Sequence, residues 1–334
     1  MDALSEVLKA VKLESAFFFN AEFSAPWSFL SPDSCRLAPF IHQAAGHIIV
    51  YHLLLKGRAY AEAQDLRLLL RPGDIVIFPH GNSHILESGP SPYTVDAATE
   101  LPNIFSGELK VSRMGGGGEV SRFVCGYMAC EPRLSQVFLA GLPPVFKINI
   151  RDDQQGEWLE NSIHDSITRA GDSNPGGEAV LAKLSEMLFV ETLRRYIVQM
   201  PALQTGWLAA ARDPDVGKAL ALMHSRPAHP WTLADLASAA GLSRSVLAQR
   251  FRQCLGEPPF AYLTRWRLQV GAQMLASSSY SVAQIASEIG YESEASFNRA
   301  FKRMFDQPPA RFRMKAKTDA KLQREAPRSV TRGQ

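Results

Sequence analysis

Two histidines four residues apart, His80 and His84, and two cysteines five apart, Cys125 and Cys130, are the side chains of this chain best suited to hold a metal. Two imidazoles and two thiolates satisfy tetrahedral zinc. The spacing is not that of a Cys-x-x-Cys site, and a pleated strand puts residues 125 and 130 on opposite faces unless a turn or bulge intervenes. A cysteine in an apolar strand also serves simply as a small hydrophobe. A second chemistry is recognition of anions and bases. Between residues 293 and 305, Glu294, Ser296, Asn298, Arg299, Lys302 and Arg303 take the outward positions of a helix whose inward ones are Phe297, Phe301 and Met304. No Gly-x-Ser-x-Gly or His-Glu-x-x-His occurs, so no hydrolase or zinc-protease constellation is readable. The run Gly115–Gly118 lacks the Lys-Ser/Thr ending of a phosphate loop and reads as a β-loop.

The elements that must position these groups change in texture along the chain. Residues 1–20 read as an amphipathic helix, with Leu4, Val7, Leu8 and Val11 at helical spacing, running into Phe17–Phe19. From Phe23 to Phe146, short apolar runs alternate with Gly and Pro turns, the pattern of a sandwich or barrel. After Ile150 the periodicity becomes helical. Glu157–Ala170 and Glu178–Met200 flank the loop GDSNPGG, and the second places Leu181, Leu184, Leu188 and Tyr196 near one stripe. Pro201 closes it, a linker runs through Gly206 to Pro214, and residues 215–313 read as consecutive helices before a polar end.

Charge divides the same way. Residues 1–210 carry 17 Lys+Arg against 23 Asp+Glu, and residues 211–334 carry 19 against 10, so −6 joins +9 to give the net +3. That asymmetry points to nucleic acid, or another anionic surface, as partner of the C-terminal part. No apolar run approaches the roughly 18–20 residues of a membrane span. The N-terminus lacks the pattern of a secretory signal, and four cysteines make no disulfide framework, so a cytoplasmic address without membrane is expected.

Two short units near the C-terminus share one layout. In WTLADLASAAGLSRSVLAQRFRQCLGEPP (231–259), Thr232 caps a first helix, Gly241 ends it, and Ser243 caps a second whose inward face is Val246, Leu247 and Phe251. In SVAQIASEIGYESEASFNRAFKRMFDQPP (281–309), Gly290 makes the corresponding turn, and Ser293 or Glu292 opens the second helix. Helix, glycine turn, helix is the helix-turn-helix layout. Residues 215–313, and above all IASEIGYESEASFNRAFKRMFDQPPARFR, resemble the C-terminal domain of AraC/XylS-type transcription regulators. The resemblance implies that early outward positions of each second helix read bases. These are Ser245, Ala248 and Gln249 in the first unit, and Glu294, Ala295, Ser296, Asn298 and Arg299 in the second. Glutamine and asparagine pair with adenine and arginine with guanine, each good bidentate contact being worth about 1–3 kcal/mol of discrimination. Arg244, Arg250, Arg252, Lys302 and Arg303 are expected at phosphates.

The run RPGDIVIFPHGNSH (71–84) resembles the second half of a cupin signature, with His84 entering a strand toward the barrel interior. Cys125-Gly126-Tyr127 before Cys130-Glu131 resembles one cupin subgroup. His42, His47 and His52 lie where catalytic cupins carry a first motif, but not as His-x-His and without its glutamate, which counts against a dioxygenase-type iron site.

The expected architecture is multidomain. A cupin-like antiparallel β-barrel over 1–150 binds an effector, and a helical linker and dimerisation segment spans 151–205. An all-α DNA-binding domain with two helix-turn-helix units covers 206–315, and a disordered basic tail covers 316–334. The expected function is sequence-specific transcription regulation in response to a small molecule or metal, with zinc the candidate ion. The expected partners are double-stranded promoter DNA, a small-molecule effector, a second copy of the chain and, by resemblance, RNA polymerase. The alternative is a metal-dependent cupin enzyme fused to a DNA-binding domain.

Overall fold

A computed structural model describes residues 2–325 apart from 12–13, 42–46, 92–93, 97–110, 131–136, 170–174 and 202–204. His42, Glu131 and the tail from residue 326 therefore lie outside the described residues. The chain forms two compact units: residues 12–135 with 141–201, and residues 1–11 with 136–140 and 202–334.

The first unit contains two sheets. Its strands are β1 (Glu14–Ser24), β2 (Ser28–Ser31), β3 (His47–Lys56), β4 (Ala59–Ala63), β5 (Leu66–Leu70), β6 (Asp74–Phe78), β7 (His84–Glu87), β8 (Val95–Asp96), β9 (Val111–Gly115), β10 (Val120–Cys130) and β11 (Phe146–Asn149). A six-stranded sheet has the order β11-β6-β3-β10-β1-β9, and a five-stranded sheet the order β5-β4-β7-β2-β8. The expected β-rich N-terminal fold is present as two sheets that do not close on each other, mostly antiparallel, with β1–β9 and β2–β8 paired in parallel. Side chains alternate across each strand, and one apolar core takes its members from both sheets. Phe19, Phe23, Leu54, Phe78 and Phe123 come from the larger sheet, and Phe29, Leu70 and Leu86 from the smaller. On β4 the inward positions are all small, Ala59, Ala61 and Ala63, which leaves room for the aromatic rings opposite.

Two helices of the same unit, α3 (Gln154–Arg169) and α4 (Gly177–Gln199), follow the strands. (Here α1 is Ala3–Val11 and α2 is Ser34–Ile41.) α4 packs on β1, β10 and β11. Ser15 Oγ donates to Ala182 O at 2.7 Å, Tyr51 Oη hydrogen-bonds Ser185 Oγ, and Tyr196 lies on Phe146 with ring centroids 4.4 Å apart. Buried Arg195 donates to Glu191 at 2.7 Å and to both oxygens of Asp153 at 2.7 and 2.9 Å, which joins α4 to the turn that starts α3. Within the expected dimerisation segment, the Leu181–Tyr196 stripe is therefore largely spent within the chain, with Leu181 and Leu188 buried and Tyr196 against the sheet. A flank of α4, about 100° around the helix from Leu181 and Leu188, leaves Val180, Met187 and Val198 exposed at 53%, 43% and 66%. At 3.6 residues per turn these three fall within about 20° of one line.

The second unit is helical: α5 (Trp207–Arg212), α6 (Val216–Ser225), α7 (Leu233–Ala240), α8 (Arg244–Leu255), α9 (Pro259–Ser277), α10 (Val282–Glu288), α11 (Glu294–Phe305) and α12 (Pro309–Glu325). It also contains α1, whose apolar Ala3, Val7 and Val11 are buried and which packs on α6. Gln273 Nε2 donates to Ala10 O at 3.2 Å. The compact units thus depart from the expected 1–150 boundary, because the amphipathic N-terminal helix finds its apolar cover among the C-terminal helices. The C-terminal boundary shifts too. α12 continues to Glu325 where disorder was expected from 316, since Lys, Ala, Gln, Arg and Glu in this stretch are good helix formers.

Candidate nucleic-acid interface and interior histidine pair

The local chemistry of the helix ends builds the two helix-turn-helix units. Thr232 accepts from Asp235 N while Asp235 reaches back to Thr232 N, and Ser281 and Gln284 repeat this capping box in the second unit. Gly241 and Gly290 make the turns at φ 71° and 83°, a region that carries a steric penalty for any residue with a Cβ. Ser243 and Ser293 then cap α8 and α11 by accepting from Val246 N and Ser296 N. Leu247 and Phe251 of α8, and Phe297 and Phe301 of α11, are buried and fix which face of each helix turns outward.

On that outward face the proposed readers fall unevenly. Ser245 and Gln249 on α8, and Glu294, Ala295 and Arg299 on α11, are exposed. Ala248, Ser296 and Asn298 are half-buried, and Ser296 Oγ is engaged with Ser293 O at 2.7 Å. Val246, expected inward, is 41% exposed, because Leu247 and Phe251 alone fill the inner side. Arg244, Arg252, Lys302 and Arg303 are exposed, as phosphate contacts require. Arg250 is not placed in that way. Its guanidinium donates to Asp215 at 2.5 Å and Asp213 at 2.6 Å, which ties α8 to the turn between α5 and α6. Beside α11, a cleft of about 300 Å³ is lined by Glu294, Asn298, Arg299 and Lys302 together with the Pro308–Ala310 entry to α12.

The expected zinc ligands do not converge. His80 Nε2 bonds Leu142 O at 3.0 Å. Cys125 faces the core between the sheets, and Cys130, five residues along the unbroken strand β10, falls on the other face. Among the described residues, no three His, Cys, Asp or Glu side chains gather as metal donors. What the interior holds instead is a histidine pair. His52 of β3 and His84 of β7 come from opposite sheets, and their Nε2 atoms lie 2.7 Å apart. Phe78 stacks on His84 at 3.5 Å between centroids, and Cys125 is the cross-strand neighbour of His52. His84 Nδ1 lies 3.1 Å from Asn82 O. That carbonyl can only accept, so Nδ1 carries the proton, His84 Nε2 accepts from His52, and His52 Nδ1 keeps a lone pair. That nitrogen is buried without a hydrogen-bond partner. Burial holds both rings neutral, with His52 well below the ordinary histidine range and His84 pushed down to about 4.

His84 was readable from its place in the signature run, where its inward direction follows from the turn at Gly81. His52 was not included with it, although the alternation of β3 puts it on the face of Leu54. No local signal marks Arg250, whose partners lie 35 and 37 residues upstream.

A cupin family model matches residues 2–198, and a helix-turn-helix domain model matches residues 236–315. The HTH-type transcriptional regulator AlkR of Acinetobacter baylyi is 28% identical over 95% of this chain and 100% of its own length. A putative AraC-like transcription regulator of Streptomyces antibioticus is 30% identical over 94% and 98%. The RCS-specific HTH-type transcriptional activator RclR of Escherichia coli is 28% identical over 94% and 97%. No helix among the described residues is long and apolar enough to cross a membrane. With a cupin domain ahead of paired helix-turn-helix units, and relatives alike along nearly their whole length, the chain belongs to the AraC/XylS-type transcription regulators, sequence-specific DNA-binding proteins.

Proposed function

We propose that one protomer reads two adjacent major-groove segments of promoter DNA, using α8 and α11, and that a small molecule held between the two sheets controls this binding. The observation that carries the DNA reading is the matched pair of serine-capped helices, each with its aromatic face buried and its polar face exposed. A helix of roughly 10–12 Å diameter fits a major groove of about 12 Å, and successive grooves on one face lie about 34 Å apart. Arg299 reads a base, and Lys302 and Arg303 hold phosphates. The first unit offers fewer readers, Ser245 and Gln249 with half-buried Ala248, and contributes less discrimination. Arg250 acts within the protein rather than at a phosphate.

The proposal is tested by comparing Arg299→Ala with Lys302→Ala on matched and mismatched duplexes. The first loses about 1–3 kcal/mol of discrimination at particular base pairs, while the second weakens binding to all sequences and flattens the salt dependence. Equal weakening at every sequence by both variants contradicts the assignment.

The effector is read by the histidine pair. A ligand hydroxyl or amide N–H that donates to His52 Nδ1 supplies the partner this buried nitrogen lacks, worth about 1 kcal/mol or more in a dry interior. Such a ligand shifts regulation only through unequal affinity for two states of the protein. In a thermal-shift screen of small hydroxylated and amide compounds, those that stabilise the wild type should lose their effect on His52→Phe. Compounds that stabilise both equally bind elsewhere. The exposed Val180–Met187–Val198 stripe of α4 pairs two copies of the chain, and promoter-bound RNA polymerase is the downstream partner. The enzyme alternative draws no support from relatives that are regulators over nearly their whole length.

A further inference from the structure

α9 joins the two helix-turn-helix units, and each packs against it from its own side. Trp266 of α9 stacks on His224 of α6 at 4.1 Å between centroids, and Tyr262 meets Phe251 of α8 at 5.7 Å. Further along, α9 comes so close to the second unit that a Cβ on Gly271 would lie 2.8 Å from Ile289 Cδ1. Shared apolar packing of this kind holds each unit to the spine. It is non-directional, so it sets their mutual angle only loosely.

Arg267, half-buried between these two contacts, supplies direction. Its guanidinium donates from all three nitrogens to backbone carbonyls: Nε to Pro227 O at 2.6 Å, Nη2 to His229 O at 2.8 Å and Nη1 to Gly290 O at 3.2 Å. Pro227 and His229 lie in the loop that leads into α7 of the first unit, and Gly290 is the turn of the second. The same two backbones also meet directly. Gly290 sits at φ 83°, and a Cβ there would stand 2.7–2.8 Å from backbone atoms of Ala228. A planar fork with fixed donor directions, bonded to carbonyls that cannot swing like side chains, constrains angle as well as distance.

We infer that Arg267 is a positioning residue for DNA recognition: by locking the loop of one helix-turn-helix unit to the turn of the other, it fixes the number of base pairs between the two boxes that one protomer reads. The inference rests on the reading of α8 and α11 as paired groove helices. One added base pair displaces the second box by about 3.4 Å and rotates it by about 35°. Hydrogen bonds to base edges tolerate neither change, since they weaken steeply outside a few tenths of an ångström and some tens of degrees. A locked pair of helices therefore prefers one spacing sharply, and an unlocked pair accepts several.

The test uses the full-length protein and a two-box duplex recovered by the wild type from a random-sequence pool. Versions of that duplex have one, two or three base pairs inserted or removed between the boxes. The wild type should lose at least tenfold in affinity for a single inserted or removed pair. Arg267→Ala should bind the original duplex about tenfold more weakly and vary less than threefold across the series. Arg267→Lys keeps the charge and the stem but offers one nitrogen in place of three, and should fall between them; it serves as the measure if the alanine variant loses its helical circular dichroism. A uniform loss at every spacing would mean that Arg267 only supports the fold, and an unchanged profile would mean that it does not set the offset; either overturns the inference. A wild-type protein that recovers no two-box duplex overturns the paired-groove reading itself.

Discussion

At the scale of single residues, the side chains that organise this protein are often not those whose type announces chemistry. Gly126 is one example. It lies on β10 directly beneath the ring of Tyr51, which crosses it to reach Ser185 on α4, and any Cβ at 126 would overlap that ring. Gly126→Ala should therefore cost about 1–3 kcal/mol by overpacking, read as a lower denaturant midpoint of the first unit with an unchanged slope. A variant as stable as the wild type would show that Tyr51 moves aside freely. The sequence showed the Cys125-Gly126-Tyr127 run but not why it contains glycine, because the ring that demands it comes from 75 residues earlier. The same holds for Arg250 and Arg267, whose partners are distant carboxylates and carbonyls. His84 could be read from local turn chemistry, whereas its partner His52 required knowing which strands face each other across the core.

At the scale of elements, local rules did better. The Thr232 cap, both turn glycines and the Ser243 cap stand where residue type placed them, and of Ser293 and Glu292 it is Ser293 that caps α11, because these interactions span only three or four positions along the chain. Periodicity located α4 but not which of its faces the sheet would cover. Leucines at 181 and 188 are apolar enough for either a partner or the chain's own strands, and the strands took them. The remaining exposed stripe on α4 makes a specific demand on a dimer. Met187→Glu with Val198→Glu should shift the protein toward monomer in sedimentation equilibrium, with its circular dichroism preserved, because both side chains already face water. Charges placed within a paired apolar surface must be desolvated at a cost of several kcal/mol. An unchanged mass would contradict the proposed pairing of two copies through α4.

At the scale of the whole molecule, composition already separated an acidic, sheet-forming part from a basic, helical one. The compact units follow that division except that residues 1–11 and 136–140 cluster with the C-terminal helices. No pattern in α1 alone could show this, since an amphipathic helix states only that it needs cover. In the proposed function the C-terminal unit reads two boxes in successive grooves. The direct measurement is selection of bound sequences from a random duplex pool with the full-length protein. Two enriched boxes, centred about one helical turn apart, with the box read by α11 better defined than that read by α8, are the result this account requires. Enrichment of a single box, or of two boxes at variable spacing, would contradict it.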